Sequence, residues 1–261
     1  MNKHSKALVT GASSGIGAVY ADRLAKRGYD LILVARDQSR LKQIAQKIQQ
    51  QYGVQVEVMA VDLSKNEDVI SIENRLKSDP QINLLVNNAG ISVSGQFLEQ
   101  DLEQIEKLIS LNISALVRLS HAILQRLIPQ NTGAIINLGS VVGLAPEFGL
   151  TVYGASKSFV EFFSQSLSLE LKETNVYIQV VLPSATKTAI WERSGADISQ
   201  MPPMMDVDQL VDAALIGFDK RETITIPVLK DENLWKTYQN SRLKLLPNFS
   251  SSEVALRYQS Q

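Results

Sequence analysis

A chain of 261 residues that is 44% apolar and 20% charged has the make-up of a globular protein with a substantial buried core. A net charge of −1 excludes an electrostatic nucleic-acid partner. The lack of cysteine excludes disulfides and thiolate metal sites, and two histidines argue against a metal centre. No uninterrupted apolar run approaches the roughly 20 residues of a membrane span. The basic leader Met1–Lys6 meets a break at Thr10-Gly11, too soon for a signal-peptide core, so a cytoplasmic protein with no membrane partner is expected.

In chain order, the apolar run Leu8-Val9-Thr10 enters the turn Gly11-Ala12-Ser13-Ser14-Gly15-Ile16-Gly17 and passes into a helix over Ala18–Arg27. A strand, a glycine turn and a helix N-terminus in succession offer free N–H groups and a partial positive charge to a pyrophosphate. Gly11 suits the turn, Gly15 a close backbone approach to the ligand, and Gly17 tight packing of helix on strand. The same residues spell G-x-S-x-G around Ser13, the nucleophile elbow of hydrolases. That reading needs a histidine late in the chain, and His4 and His121 lie before the serine and inside a helical stretch.

A buried strand comes next at Asp30–Ala35, then Arg36 and Asp37 and a polar helix over Gln38–Gln51. The spacing then predicts a strand at Val54–Val61 ending at Asp62-Leu63, a helix over Asn66–Lys77, and a strand at Leu84–Val86 ending in Asn87-Asn88-Ala89-Gly90. One long helix is expected over about Leu98–Ile128, a strand at Ala134–Leu138 ending in Gly139-Ser140, a helix over Tyr153–Leu171 and a strand at Val176–Leu182. Residues 184–206 lack periodicity and are read as a substrate lid. Asp206 looks like the N-cap of a helix over Val207–Phe218, and Thr223–Pro227 resembles a seventh strand. The tail, residues 231–261, is amphipathic in part and fits a docking helix or an oligomer contact equally well. The alternation predicts an α/β, doubly wound, Rossmann-like fold: one domain over residues 1–261, with a seven-stranded, mostly parallel sheet between helices and ligands at the strand C-termini.

The chemistry sits in the residues just past the strand ends. A dinucleotide fold reads the adenosine ribose after its second strand. Ala35 removes the carboxylate that would bond NAD, and Arg36 supplies a fork for the 2′-phosphate, so NADP is favoured and NAD disfavoured. Asp37 can pair with Arg36 or Arg40, and Asp62 can accept from the adenine amino group. Tyr153 and Lys157, four apart, share one helix face. A nearby ammonium lowers a phenol's pKa from about 10 towards working pH, which suits protonation of an oxygen that receives hydride. Ser140 ends another strand on the same edge, where its hydroxyl can bond that oxygen.

Together Thr10–Gly17, Asn87-Asn88-Ala89-Gly90, Asn112, Ser140, Tyr153 and Lys157 closely resemble the short-chain dehydrogenase/reductase family, in order and spacing, to about Thr188. The resemblance implies an oxidoreductase interconverting a carbonyl and an alcohol. In it Tyr153 is acid/base, Lys157 tunes it and binds the nicotinamide ribose, Ser140 polarises the carbonyl and Asn112 holds a relay water. It implies cofactor contacts at Gly11, Ser13, Ser14, Gly15, Ile16, Gly17, Arg36, Asp62, Leu63, Asn88, Ala89 and Gly90, and at Pro183, Ser184, Thr186 and Thr188 in the carboxamide loop. Ser184 stands where the family has glycine, which bears on that loop's backbone. A homodimer or homotetramer through the helices around 98–128 and 153–171 is implied as well. Ile190, Trp191, Met201, Met204 and Met205, with Val141, Val142, Leu144 and Phe148, are read as lining a pocket for an apolar substrate.

Overall fold

The computed structural model describes residues 5–188 and 203–259. They belong to two compact units, Met1–Pro227 and Val228–Gln261. His4, Ile190, Trp191, Met201 and most of the expected lid lie outside the described residues.

The first unit is built on a seven-stranded sheet of order β3-β2-β1-β4-β5-β6-β7, with every pairing parallel. Its strands are β1 (Lys6–Thr10), β2 (Asp30–Ala35), β3 (Val56–Ala60), β4 (Ile82–Asn87), β5 (Ala134–Leu138), β6 (Tyr177–Val181) and a two-residue β7 (Ile224–Thr225). Successive strand residues face opposite layers. Ala7, Val9, Leu31 and Leu33 pack on α1 (Gly15–Lys26), α2 (Gln38–Tyr52) and α7 (Val207–Asp219). Leu8, Ile32, Val34 and Leu85 pack on α3 (Asn66–Ser78) and α5 (Leu116–Gln130). Both faces are therefore covered, which is why these strands are apolar throughout instead of alternating. The chain reverses its winding between β1 and β4, which pair at Val9 and Val86, so the glycine turn after β1 and the Asn88–Gly90 turn after β4 lie side by side.

One expectation is corrected. The long helix over Leu98–Ile128 is four pieces: a 3₁₀ turn at Phe97–Glu99, α4 (Leu102–Ile109) capped by Asp101, a π-helical turn at Ser110–Ala115, and α5. The apolar repeat runs through all four, so periodicity alone does not reveal the breaks. The continuous stretch Leu102–Gln130 is, among the described residues, long and apolar enough to cross a membrane. Its apolar side is taken up by the sheet, where Leu119, Ile123 and Leu127 are buried.

Asp206 caps α7 by accepting from the N–H groups of Asp208 and Gln209, as expected. The second unit consists of α8 (Glu232–Leu243), a short α9 (Leu246–Phe249) and a 3₁₀ turn at Leu256–Tyr258; none of their residues is buried.

Candidate active site

The glycine turn is braced by two residues, Thr10 and Asn88. The Thr10 hydroxyl donates to the Val86 carbonyl (3.2 Å) and accepts from the N–H groups of Asn88 (2.9 Å) and Ala89 (3.0 Å). The Asn88 amide donates to the carbonyls of Thr10 (2.9 Å) and Gly11 (3.3 Å). Gly11 has φ +65°, and a side chain there would meet the Asn88 amide at 2.7 Å; one on Gly17 would meet it at 2.5 Å. Gly15, with φ +55°, faces the Thr188 methyl at 3.2 Å from where its Cβ would stand. Asn88 thus shapes the cradle, and Thr10, singled out only within the motif, is its hub. Ser14 is the N-cap of α1 without a side-chain capping bond, and the first turn carries no acid. That leaves the helix N-terminus to an anion. Ser13 and Ile16 are half-buried, and Ile16 also packs on the core.

At the end of β2, Asp37 caps α2 through the Arg40 N–H (3.0 Å) and pairs with the Arg40 side chain (3.3 Å). Arg36 keeps only a 3.9 Å ion pair to Asp62, and its side chain is 52% exposed. The Asp62 carboxylate accepts from the Ser64 N–H and hydroxyl. Burial opposes its charge, but these bonds and the nearby cations Arg36 and Lys107 hold it below the usual carboxylate range. The Leu63 side chain is buried in the core cluster, which leaves its backbone to face a cofactor.

Ser140, just past the end of β5, comes together with Tyr153 and Lys157 on α6 (Thr151–Glu170). The Ser140 hydroxyl donates to the Pro183 carbonyl (3.2 Å) and accepts from the Val142 N–H (3.3 Å), and it is near enough to the Tyr153 phenol to favour the phenolate. The Lys157 ammonium donates to the Leu138 carbonyl (2.8 Å) and lies 5.7 Å from the Tyr153 ring centre. Asn112, in the π-helical turn, is aimed inward: it pairs with both backbone groups of Ile91 (2.9 Å each) and donates to Ser156 (3.3 Å). A side chain on Gly90 would stand 3.2 Å from Asn112 Oδ1 and 3.8 Å from Lys157 Nζ, so these three converge.

The expectation that Lys157 draws the phenol towards neutrality is corrected. Burial pushes Tyr153 up to about 12, against the pull of Ser140, and pushes Lys157 down to about 8. At neutral pH the phenol is protonated and the lysine is mostly charged, a pairing suited to giving a proton to an oxygen.

In the loop after β6, the Thr186 hydroxyl donates to the Ser184 carbonyl (2.8 Å), and Thr186 bridges to Met205, joining the ends of the expected lid. Among the described residues only Asn131 and Arg221 are non-glycine with positive φ, so Ser184 needs no glycine-like backbone. Val141 and Leu144 pack on the third apolar cluster, and Met205 on the first; Phe148 is exposed. His121 is exposed beside Gln125, far from a role as a base for Ser13.

Sequence reasoning missed a buried polar ladder. Asn87 donates to Ser120 (3.1 Å) and Asn137 (3.0 Å), and Asn137 donates to Ser164 (2.9 Å), which ties α5, β4, β5 and α6 together behind the site. Asn137, polar inside an apolar strand, was its one visible signal.

A parallel sheet with a glycine cradle at its switch point and a Ser-Tyr-Lys cluster beside it defines a nucleotide-dependent oxidoreductase. The family model for short chain dehydrogenases matches residues 5–199, and the chain belongs to that family. A very-long-chain 3-oxoacyl-CoA reductase of Rattus norvegicus is 40% identical over 189 residues, 70% of this chain and 60% of that protein. The chain spans 60 to 64% of the length of this reductase and that of Anas platyrhynchos. Among solved structures, a short-chain dehydrogenase from Sphingobium yanoikuyae in complex with NADPH has a TM-score of 0.96 at 49% identity, covering 98% of this chain and 100% of that one. A bulky-bulky ketone specific alcohol dehydrogenase from Comamonas testosteroni has a TM-score of 0.93 at 43% identity, covering 99% and 100%.

Proposed function

We propose that this protein is an NADPH-dependent carbonyl reductase acting on ketones with bulky apolar substituents. The observation that carries the reaction is the convergence of Ser140, Tyr153 and Lys157 beside Gly90 and Asn112. NADPH, when bound, supplies the hydride. Ser140 donates to the carbonyl oxygen and orients it, Tyr153 gives the proton, and Lys157 holds positive charge next to the phenol. Arg36, paired only at 3.9 Å, supports NADP over NAD, as does the similarity to a structure holding NADPH. The Comamonas relative's bulky ketones, and the apolar turn Val141–Leu144 after Ser140, support the substrate class. A nucleotide-binding protein without turnover would have no use for a protonated phenol held against a serine hydroxyl.

A homodimer or homotetramer in the cytoplasm completes the reading. It is supported by exposed Leu102 and Ile109 on α4 and Phe162 and Leu169 on α6, and light scattering at working concentration checks it. For the activity, Tyr153→Phe is expected to abolish reduction of valerophenone while NADPH binding stays within about twofold; full activity in that variant ends the proposal. Arg36→Ala is expected to weaken NADPH by about tenfold or more with NADH little changed. Equal losses for both cofactors remove the basis for the preference.

A further inference from the structure

The loop that carries Ser140 is pressed onto α6 at one point. Residues Val141–Gly143 form a single 3₁₀ turn, closed by the Gly143 N–H to the Ser140 carbonyl (3.1 Å). At Gly143 this turn meets helix backbone: a Cβ there would lie 2.7 Å from the Lys157 carbonyl carbon, 2.7 Å from the Ser158 nitrogen and 2.9 Å from the Lys157 oxygen. The Ser158 hydroxyl also donates to the Gly143 carbonyl. Gly143 does not have the positive φ that favours glycine, so an L-residue suits its backbone and only the approach forbids a side chain.

We propose that Gly143 is a positioning residue for carbonyl reduction. Its missing side chain lets the Ser140 turn seat on the helix at Lys157 and Ser158, and that contact sets the spacing between the Ser140 hydroxyl and the Tyr153 phenol. The facing atoms are main chain of a helix tied down by the Lys157 bond to Leu138 and by Ser156 to Asn112. They cannot turn aside as a flexible side chain would, so a methyl group must lift the turn itself. Ser140 moves with it, and near 1 Å of misplacement in such a pair costs on the order of a hundredfold. The phosphate cradle at Thr10–Gly17 is held by Asn88 and not by this turn, so most of the cofactor's anchorage is left in place when the turn lifts, while the pull of Ser140 towards the Tyr153 phenolate weakens.

The inference rests on the reading of Ser140, Tyr153 and Lys157 given above, so Tyr153→Phe is measured alongside. For Gly143→Ala, kcat for valerophenone reduction is expected to fall about 10- to 100-fold at a temperature well below the Tm, with the Kd for NADPH within about twofold. The rise of alcohol oxidation with pH, which follows ionisation of the Tyr153 phenol, is expected at higher pH. An unchanged kcat and an unmoved rise in a folded Gly143→Ala protein overturn the assignment, as does an equal loss in NADPH affinity. Should Gly143→Ala not fold, the Ser158 pair decides. Ser158→Ala is expected to lower kcat several-fold and Ser158→Thr to restore it, and no difference between these two overturns the assignment. If Tyr153→Phe is active, the site reading fails. If it is inactive while Gly143→Ala equals wild type, only the positioning role fails.

Discussion

Lys157 and Tyr153 are both buried, and burial moves them in opposite directions, one down to about 8 and the other up to about 12. In the reduction direction the acid is the protonated phenol, which stays protonated across the physiological range. The group that titrates there is Lys157, whose positive charge is present below about 8 and lost as pH rises through it. Carbonyl reduction is accordingly expected to hold level from about pH 6 to pH 7 and to fall through about pH 8, in a profile of kcat/KM. A second buried phenol has a different consequence. The Tyr20 hydroxyl lies in the core under α1 without a hydrogen-bond partner. Tyr20→Phe removes that unsatisfied group and is expected to raise stability by about 1 kcal/mol in denaturant melts, with activity unchanged. Ser140 and Arg36 were legible because they follow strands on one edge, and Tyr153 and Lys157 because a spacing of four puts them on one helix face. The direction of the Tyr153 shift was not, since spacing reports the neighbour but not the depth of burial.

At the level of elements, the polar ladder Ser120–Asn87–Asn137–Ser164 holds the two central strands to their flanking helices in a layer otherwise apolar. Asn137→Leu removes two buried bonds and leaves Asn87 with Ser120 alone and Ser164 with the Val160 carbonyl alone, so a loss of about 2 kcal/mol is expected in urea unfolding. A neutral result would mean the ladder relaxes to other partners. The main strands and helices were readable from the sequence within a few residues, because strands covered on both faces are apolar runs and their helices have one apolar face. The π-helical turn that aims Asn112 was invisible: an extra residue per turn leaves the apolar repeat nearly intact. Ser120 and Ser164 hid for another reason, since a small hydroxyl residue in a helix looks like surface until its neighbour across the sheet is known.

Across the whole first unit, the start of β1 and the end of α3 are joined by one carboxylate. Asp79 accepts from Lys6 (2.9 Å) and lies 3.0 Å from Arg75, which also pairs with Glu57. Burial opposes its charge, yet Lys6, the Gln81 N–H and Arg75 hold it below the usual range. A carboxylate depressed in the fold stabilises it above the unfolded value of about 3.9, and this stabilisation disappears as pH drops through the folded value. Asp79→Asn is expected to be less stable than wild type at pH 7, and the gap to close as pH falls below the usual carboxylate range; a pH-independent gap would show that the charge is not what matters. Arg36 illustrates the opposite relation of a side chain to the fold. It hangs at the rim, more than half exposed, and among the described residues its side chain reaches only Asp62, at 3.9 Å. Exchange of one or two rim residues can therefore redirect such a scaffold between the cell's biosynthetic and catabolic stores of reducing equivalents, while the machinery that moves the proton stays as it is.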